Sequence, residues 1–146
     1  LLMFVGAVLL LMLNRDESEP PAAAAAQQNA AFTPVRNATE LDALLALARA
    51  DGKPALLDFY ADWCGPCREM ESQTFTNAAV VSKLADFVLL RADVTANDAG
   101  HQALLQRYKL QGPPGIILFD PSGRELADRR IVGFRAPEAF LAALNH

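Results

Sequence analysis

The sequence has few of the cysteine and histidine side chains that hold zinc, and no excess of positive charge. Its 146 residues include two cysteines and two histidines, and the formal net charge is −4. A nucleic-acid-binding face needs clustered Lys and Arg, so this charge balance argues against nucleic acid as a partner. A structural zinc ion needs about four ligands, whereas His101 and His146 have no paired spacing. We therefore expect no metal, no cofactor and no nucleic-acid interface, and we expect His101 to be a surface residue of a helix.

The sequence also lacks a complete membrane-spanning segment. Residues 1–13 are uninterrupted apolar, but a spanning helix needs about 20 such residues. Because the run begins at Leu1 without a starting Met, we interpret it as the end of a transmembrane helix. A signal peptide is disfavoured because no basic segment precedes the run and acidic residues follow it. A buried core helix is the remaining interpretation.

Two further segments follow the apolar run. Residues 14–31 have no apolar period, two adjacent prolines and a run of five alanines, which predicts a flexible linker. Residues 32–146 are predicted to form one folded domain, because short apolar runs alternate there with helical periods. The chain would then be a domain tethered to a membrane at its N-terminus.

The order of these runs predicts an α/β fold. Thr39 and Asn77 are expected to start helices, and Gly52 is expected to end the first one. The predicted order is β-α-β-α-β-α-β-β-α, with a hairpin between the last two strands and a central mixed β-sheet flanked by helices. The strand-like runs are AFTPV, PALLDFYA, FVLLRADV, GIILF and RIVGF.

The two cysteines lie three positions apart at the predicted start of a helix. A zinc site lacks further ligands, and a purely structural disulfide closing so short a loop would contribute only about 2 kcal/mol. A thiol at a helix N-terminus faces unpaired amide groups and the positive end of the helix dipole, which favour the thiolate. Cys64 would thus be the nucleophile, and Cys67, one turn later, would resolve the mixed disulfide. A C-x-x-C pair within a βαβ pattern predicts redox chemistry.

Longer strings carry a family resemblance. The stretch WCGPC, with Trp63 before the nucleophile and Gly65-Pro66 between the cysteines, resembles the active site of the thioredoxin superfamily. The strings LLDFYADWCGPCREMESQTF, ADFVLLRADVTANDAG and GPPGIILFD resemble the C-terminal periplasmic domain of the DsbD family of transmembrane thiol:disulfide interchange proteins, over about residues 32–146. The resemblance implies a thioredoxin fold and a protein-disulfide reductase. Gly65-Pro66 departs from that family and matches ordinary thioredoxin.

The same resemblance implies a location and partners. The domain would lie in the periplasm, tethered to the bacterial inner membrane, and would receive electrons from a membrane domain. It would pass them to the N-terminal periplasmic domain of the same transporter, and indirectly to disulfide isomerases and cytochrome c maturation proteins. One alternative is a stand-alone membrane-tethered thioredoxin-like reductant for cytochrome c maturation. Another is a non-catalytic binding domain, against which the presence of both cysteines argues.

Two acidic residues are expected to act with the cysteines. Asp58 lies within an apolar strand run, at the position of the buried acid in thioredoxins, so its carboxyl group should have a raised pKa or a partner. Glu71 falls one helical turn after Cys67. Two carboxylates near Cys64 would raise the pKa of its thiol and slow its reaction with unselected disulfides, while Asp58 or Glu71 exchanges protons. The alternative is that Glu71 is an ordinary solvated helix residue.

The remaining candidate residues concern partner binding. Pro114 matches the cis-proline of the thioredoxin superfamily, and X-Pro bonds adopt the cis form at low cost. Pro113 departs from the family pattern, because proline has no N–H to offer a partner strand. We therefore expect docking at Pro113-Pro114 to depend more on side-chain contact than on strand pairing. Trp63, Gly65 and Pro66 are expected to surround the thiols, with Trp63 covering them.

Overall fold

The structure, a computed structural model, describes residues 30–145. The predicted membrane segment at residues 1–13 lies outside the described residues, as does the predicted linker at 14–31 apart from its last two residues. Within the described part, no helix has both the length and the apolar character needed to cross a membrane.

The described chain forms one five-stranded sheet with helices on both faces. The strands are β1 Thr33–Pro34, β2 Ala55–Tyr60, β3 Val88–Asp93, β4 Gly115–Phe119 and β5 Ile131–Val132. The helices are α1 Ala38–Ala50, α2 Gly65–Glu69, α3 Ala78–Leu84, α4 Ala99–Arg107 and α5 Pro137–Asn145. A π-helical segment at Met70–Thr74 continues α2, and a short 3₁₀ helix at Ala127–Arg129 precedes β5.

The sheet is mixed, as predicted. Its strand order is β1-β3-β2-β4-β5, with β1, β3 and β2 parallel and with β4 antiparallel to both β2 and β5. The predicted order of elements is confirmed, with the second helical region divided into α2, its π-helical continuation and α3. The last two strands pair as the expected hairpin, although the 3₁₀ helix lies within their connection.

Strand β2 lies at the centre of the sheet because its side chains are apolar on both faces. Leu57 and Phe59 are fully buried in a cluster with residues of α1 and α4. Leu56 is fully buried in a second cluster, with residues of α3 and α5. Since side chains alternate along a strand, Asp58 lies on the same face as Leu56, within apolar surroundings.

The first helix begins earlier than the sequence suggested. Its N-cap is Asn37, whose side-chain oxygen accepts a hydrogen bond from the Glu40 amide at 2.9 Å, so the expectation that Thr39 starts the helix is wrong. Both residues are of capping type, and Asn37 is the one with an extended backbone. The other expected boundaries are confirmed, because Asn77 caps α3 and Gly52 follows α1 with a φ of +63°.

His101 is also placed differently from the expectation. The side chain is buried, with Nε2 3.3 Å from the Val35 carbonyl oxygen and Nδ1 3.0 Å from an Asp98 carboxylate oxygen. Asp98 caps α4 by accepting from the His101 amide. His101 therefore connects the start of α4 to the segment between β1 and α1, and it is not a surface residue.

The cap of α1 gives a direct test. We expect Asn37→Ala to lower the free energy of unfolding by about 1 kcal/mol, because the Glu40 amide loses its acceptor. Thr39→Ala, at an exposed position inside the helix, is the matched control and should change it by less than about 0.5 kcal/mol. Urea unfolding followed by circular dichroism measures both. Equal losses in the two variants would contradict the assignment of the cap.

Candidate active site

The two cysteines are joined at the start of α2. A disulfide links Cys64 to Cys67, with a Cα–Cα distance of 5.3 Å. Cys64 is the N-cap residue, and its sulfur accepts a hydrogen bond from the Cys67 amide at 3.2 Å. An amide that donates to the sulfur would also stabilise a Cys64 thiolate in the reduced protein. Pro66 is accommodated because it lies in the first turn, where amides lack helical partners.

Exposed residues surround the buried sulfurs. Both cysteines are buried, whereas Gly65 and Pro66 between them are exposed. Trp63 is 62% exposed, which is unusual for so large an apolar side chain. Its indole N–H donates to the Thr95 carbonyl oxygen at 3.2 Å. The three residues expected around the thiols thus form an exposed rim beside them.

The two prolines lie at the same edge of the sheet. The Pro113–Pro114 peptide bond is cis, as expected, and both residues are half-buried. The next residue, Gly115, pairs with Phe59 near the end of β2. The Phe59 carbonyl oxygen is 4.0 Å from the Cys67 sulfur. The start of β4 therefore lies beside the strand that leads into the cysteine turn.

The two candidate acids meet through an arginine. Arg91 on β3 lies opposite Asp58 in the sheet, and its guanidinium nitrogens are 2.7 and 2.9 Å from one Asp58 carboxylate oxygen. The same guanidinium forms an ion pair with Glu71 in the π-helical segment. It also lies over the Phe32 and Tyr60 rings, 4.2 and 4.7 Å from their centroids. Arg91 therefore links two strands to the helix that follows the cysteines.

Burial and Arg91 have opposite effects on the pKa of Asp58. The pKa of Asp58 is raised to about 6, because burial, with a smaller contribution from the Glu71 charge, outweighs the lowering by the Arg91 charge and hydrogen bond. Burial lowers the pKa of Arg91, but the two carboxylates more than offset this and raise it overall. The expectation for Asp58 was a raised pKa or a partner, and the structure has both. Arg91 neutralises part of the charge of the two carboxylates, and their expected effect on the Cys64 thiol stays a prediction.

Arg91 and Thr95 also contact the site residues, although neither was predicted from the sequence. Arg91 stands in the mostly apolar FVLLRADV run, where a charge between apolar residues indicates a buried partner. Thr95 stands in DVTAND, residues 93–98, which is part of the string ADFVLLRADVTANDAG that carries the family resemblance. Within residues 30–145, no three His, Cys, Asp or Glu side chains are grouped so as to hold a metal ion.

Comparisons with known proteins agree with this geometry. A family model described as a thioredoxin-like domain matches residues 41–146. The crystal structure of the oxidised C-terminal domain of Neisseria meningitidis DsbD is 34% identical, with a TM-score of 0.64, and the match covers 77% of this chain and 95% of that one. The chain belongs to the thioredoxin-like family. The predicted thioredoxin fold is thereby confirmed, as is the predicted similarity to the C-terminal domain of DsbD proteins.

Full-length relatives are much longer than this chain. The thiol:disulfide interchange protein DsbD of Ralstonia nicotianae is 50% identical over 118 residues, which are 81% of this chain and 19% of that protein. The DsbD protein of Yersinia enterocolitica is 46% identical over 119 residues, or 82% of this chain and 20% of that protein. The chain thus spans about a fifth of the length of these relatives.

The contact between Arg91 and Asp58 predicts a shift in titration. We expect Arg91→Gln to raise the pKa of Asp58 further above about 6, by about one unit or more, because the buried carboxylate loses its cation. Carbon NMR of the Asp58 carboxyl group across a pH series measures the shift.

Arg107→Gln is the matched control for that titration. It removes the same charge from a more exposed pair, in which the guanidinium lies 2.9 Å from Asp42, and it should leave Asp58 unchanged. The same Asp58 midpoint in wild type and Arg91→Gln would mean that the arginine does not govern this carboxyl group.

Proposed function

We propose that this domain is the electron-donating end of a DsbD-type relay, in which the Cys64/Cys67 dithiol reduces the disulfide of a partner protein. The observation that carries the proposal is the disulfide at the start of α2, with the Cys64 sulfur held by the Cys67 amide. The similarity to DsbD proteins supports the relay in particular. That similarity favours this function over a stand-alone reductant.

The exchange proceeds in two substitutions at sulfur. The Cys64 thiolate attacks one sulfur of the partner disulfide, so that a mixed disulfide forms and the other partner sulfur leaves as a thiolate. The Cys67 thiolate then attacks the Cys64 sulfur, which forms the Cys64–Cys67 disulfide and releases the second partner thiolate. The partner gains two electrons and two protons, and the domain loses the same. A dithiol of a membrane domain would restore the reduced state by the same steps in reverse.

Asp58 is proposed as the proton acceptor for this exchange. With a pKa of about 6, its carboxyl group is mostly ionised at neutral pH and yet close enough to that pH to return a proton. It lies one residue before Phe59, whose carbonyl oxygen is 4.0 Å from the Cys67 sulfur. Glu71 acts with it indirectly, since both carboxylates share Arg91. Asp58, Glu71 and Arg91 together would thus carry one net negative charge near the cysteines when all three are ionised.

The partner is proposed to dock on the rim of the site. Trp63, Gly65 and Pro66 are exposed beside the buried sulfurs, and the half-buried prolines 113 and 114 lie at the same sheet edge. Because Pro113 has no N–H, a partner strand can receive no amide hydrogen bond there. Side-chain contact with the rim, Trp63 above all, would compensate.

The location and the partners follow from the same resemblance. We place the domain in the periplasm, with residues 1–13 as the end of an inner-membrane helix and residues 14–31 as the tether. Its electron source would be a membrane domain, and its acceptor the N-terminal periplasmic domain of the same transporter. Disulfide isomerases and cytochrome c maturation proteins would be reduced further along the relay. The linker at residues 14–31 and the apolar run at residues 1–13 would together keep the domain close to its electron source.

The reduction potential of the cysteine pair tests the proposed direction. An electron donor should have a potential toward that of thioredoxin, about −270 mV, since Gly65-Pro66 matches the thioredoxin sequence. Equilibration of the purified chain with dithiothreitol buffers, followed by thiol trapping and mass spectrometry, gives the value. A potential near that of DsbA, about −120 mV, would identify a disulfide-forming oxidant and end the reductase proposal.

A trapping experiment tests the roles of the two cysteines. Cys67→Ser should accumulate a mixed disulfide with a protein disulfide such as insulin, because the resolving thiolate is absent. Cys64→Ser, the matched control, should form none. Non-reducing electrophoresis after incubation with insulin separates the species. A stronger adduct in Cys64→Ser would show that the two roles are reversed.

A further inference from the structure

We propose that Thr95 is a positioning residue for the disulfide exchange, one that holds the two residues before Cys64 and so fixes the exposed Trp63 indole where a partner protein docks. Its effect on docking rests on the proposed function, whereas its effect on Trp63 can be measured without any partner. Thr95 belongs to the DVTAND string, none of whose residues takes part in the exchange steps proposed above.

The topology brings Thr95 to the cysteine turn. Strands β2 and β3 are parallel and end together, with Tyr60 opposite Asp93. The turn after β2 therefore carries Asp62, Trp63 and Cys64, and the turn after β3 carries Thr95 beside it. The two turns are 33 residues apart in sequence, yet the Asp62 amide donates to the Thr95 hydroxyl oxygen at 2.9 Å.

The Thr95 hydroxyl group is oriented by Asp93. One Asp93 carboxylate oxygen accepts from the Thr95 amide at 3.0 Å and also from the Thr95 hydroxyl. A hydroxyl has a single proton, so a hydroxyl that donates to Asp93 must act as an acceptor toward Asp62. The Asp93 carboxylate thus orients the Thr95 hydroxyl so that its oxygen accepts a hydrogen bond from the Asp62 amide in the cysteine turn.

Trp63 is held by the same residue through its backbone. The indole N–H donates to the Thr95 carbonyl oxygen at 3.2 Å, although 62% of the side chain is exposed. A freely rotating exposed tryptophan would lose side-chain entropy when a partner bound, so a preoriented one binds at lower cost. Thr95 therefore contacts both residues that precede the nucleophile, Asp62 through its side chain and Trp63 through its carbonyl.

The single tryptophan makes the test direct. Trp63 is the one tryptophan in the chain, so intrinsic fluorescence reports on it alone. In Thr95→Val, which keeps the shape of the side chain and loses the hydroxyl, we expect lower Trp63 anisotropy and faster hydrogen exchange of the Asp62 amide. Thr95→Ser keeps the hydroxyl and should behave as wild type. Thr76→Val is the control, because its hydroxyl bonds the Ser72 carbonyl oxygen at 2.8 Å, away from the cysteine turn.

Kinetics separate docking from the chemistry of the cysteines. We expect Thr95→Val to raise KM for insulin reduction about fivefold, the effect of losing one ordinary hydrogen bond, with kcat changed less than about twofold. The rate with cystamine, a disulfide too small to need the rim, should stay within about twofold of wild type. Should Thr95→Val not fold, Asp93→Ala removes the acceptor that orients the hydroxyl and should give the same changes in smaller degree.

Two outcomes would overturn the inference. The first is unchanged anisotropy and Asp62 exchange in Thr95→Val, or in Asp93→Ala where that variant stands in for it. The second is an equal loss of rate with insulin and with cystamine, which would place Thr95 in the cysteine chemistry and not in docking. A wild-type chain that fails to reduce insulin would instead refute the proposed function, while the fluorescence and exchange measurements would still decide the role of Thr95.

Discussion

The ion pairs of Arg91 are the contacts on which the arrangement of the site depends. Asp58 lies in the central strand on the same face as Leu56, where an unpaired carboxylate would be strongly unfavourable. Arg91 lies directly opposite it on β3 and also binds Glu71, so one cation serves two carboxylates. The planar guanidinium suits this geometry better than a lysine would. The same contacts fasten the helix that follows the cysteines to the sheet, so the charge balance of the core and the position of the redox pair are coupled.

The sheet topology explains why the functional residues gather at one edge. Parallel strands β2 and β3 end on the same side, and their following turns carry Cys64 and Thr95. The antiparallel strand β4 begins on that side, which brings the cis Pro113–Pro114 bond beside the end of β2. Three distant parts of the sequence thereby form one surface. Each part is short and held by the strand next to it, so the site is built on rigid elements.

The fold could be predicted in outline because its signals are local. The runs PALLDFYA and GIILF are apolar apart from Asp58, as expected of strands covered on both faces, and both are buried in the sheet. Helix boundaries were less certain. Asn37 and Thr39 lie two positions apart, and both are residue types that commonly cap helices. Which of them caps α1 depends on the backbone that enters from β1. The expectation that His101 lies at the surface was wrong for a similar reason, since the buried face of α4 is set by the neighbouring segment at Val35.

The sequence by itself determined the redox pair, because a spacing of three residues at the start of a helix brings two sulfurs within bonding distance whatever surrounds them. It also determined that an acid would be buried in β2, since the residues around Asp58 are apolar. Only the tertiary structure decided which residues serve these groups. Arg91 stands 33 residues from Asp58, and Thr95 stands 33 residues from Asp62. Which residue of β3 lies opposite a given residue of β2 depends on the register of the whole sheet, and that register is set by how both faces pack.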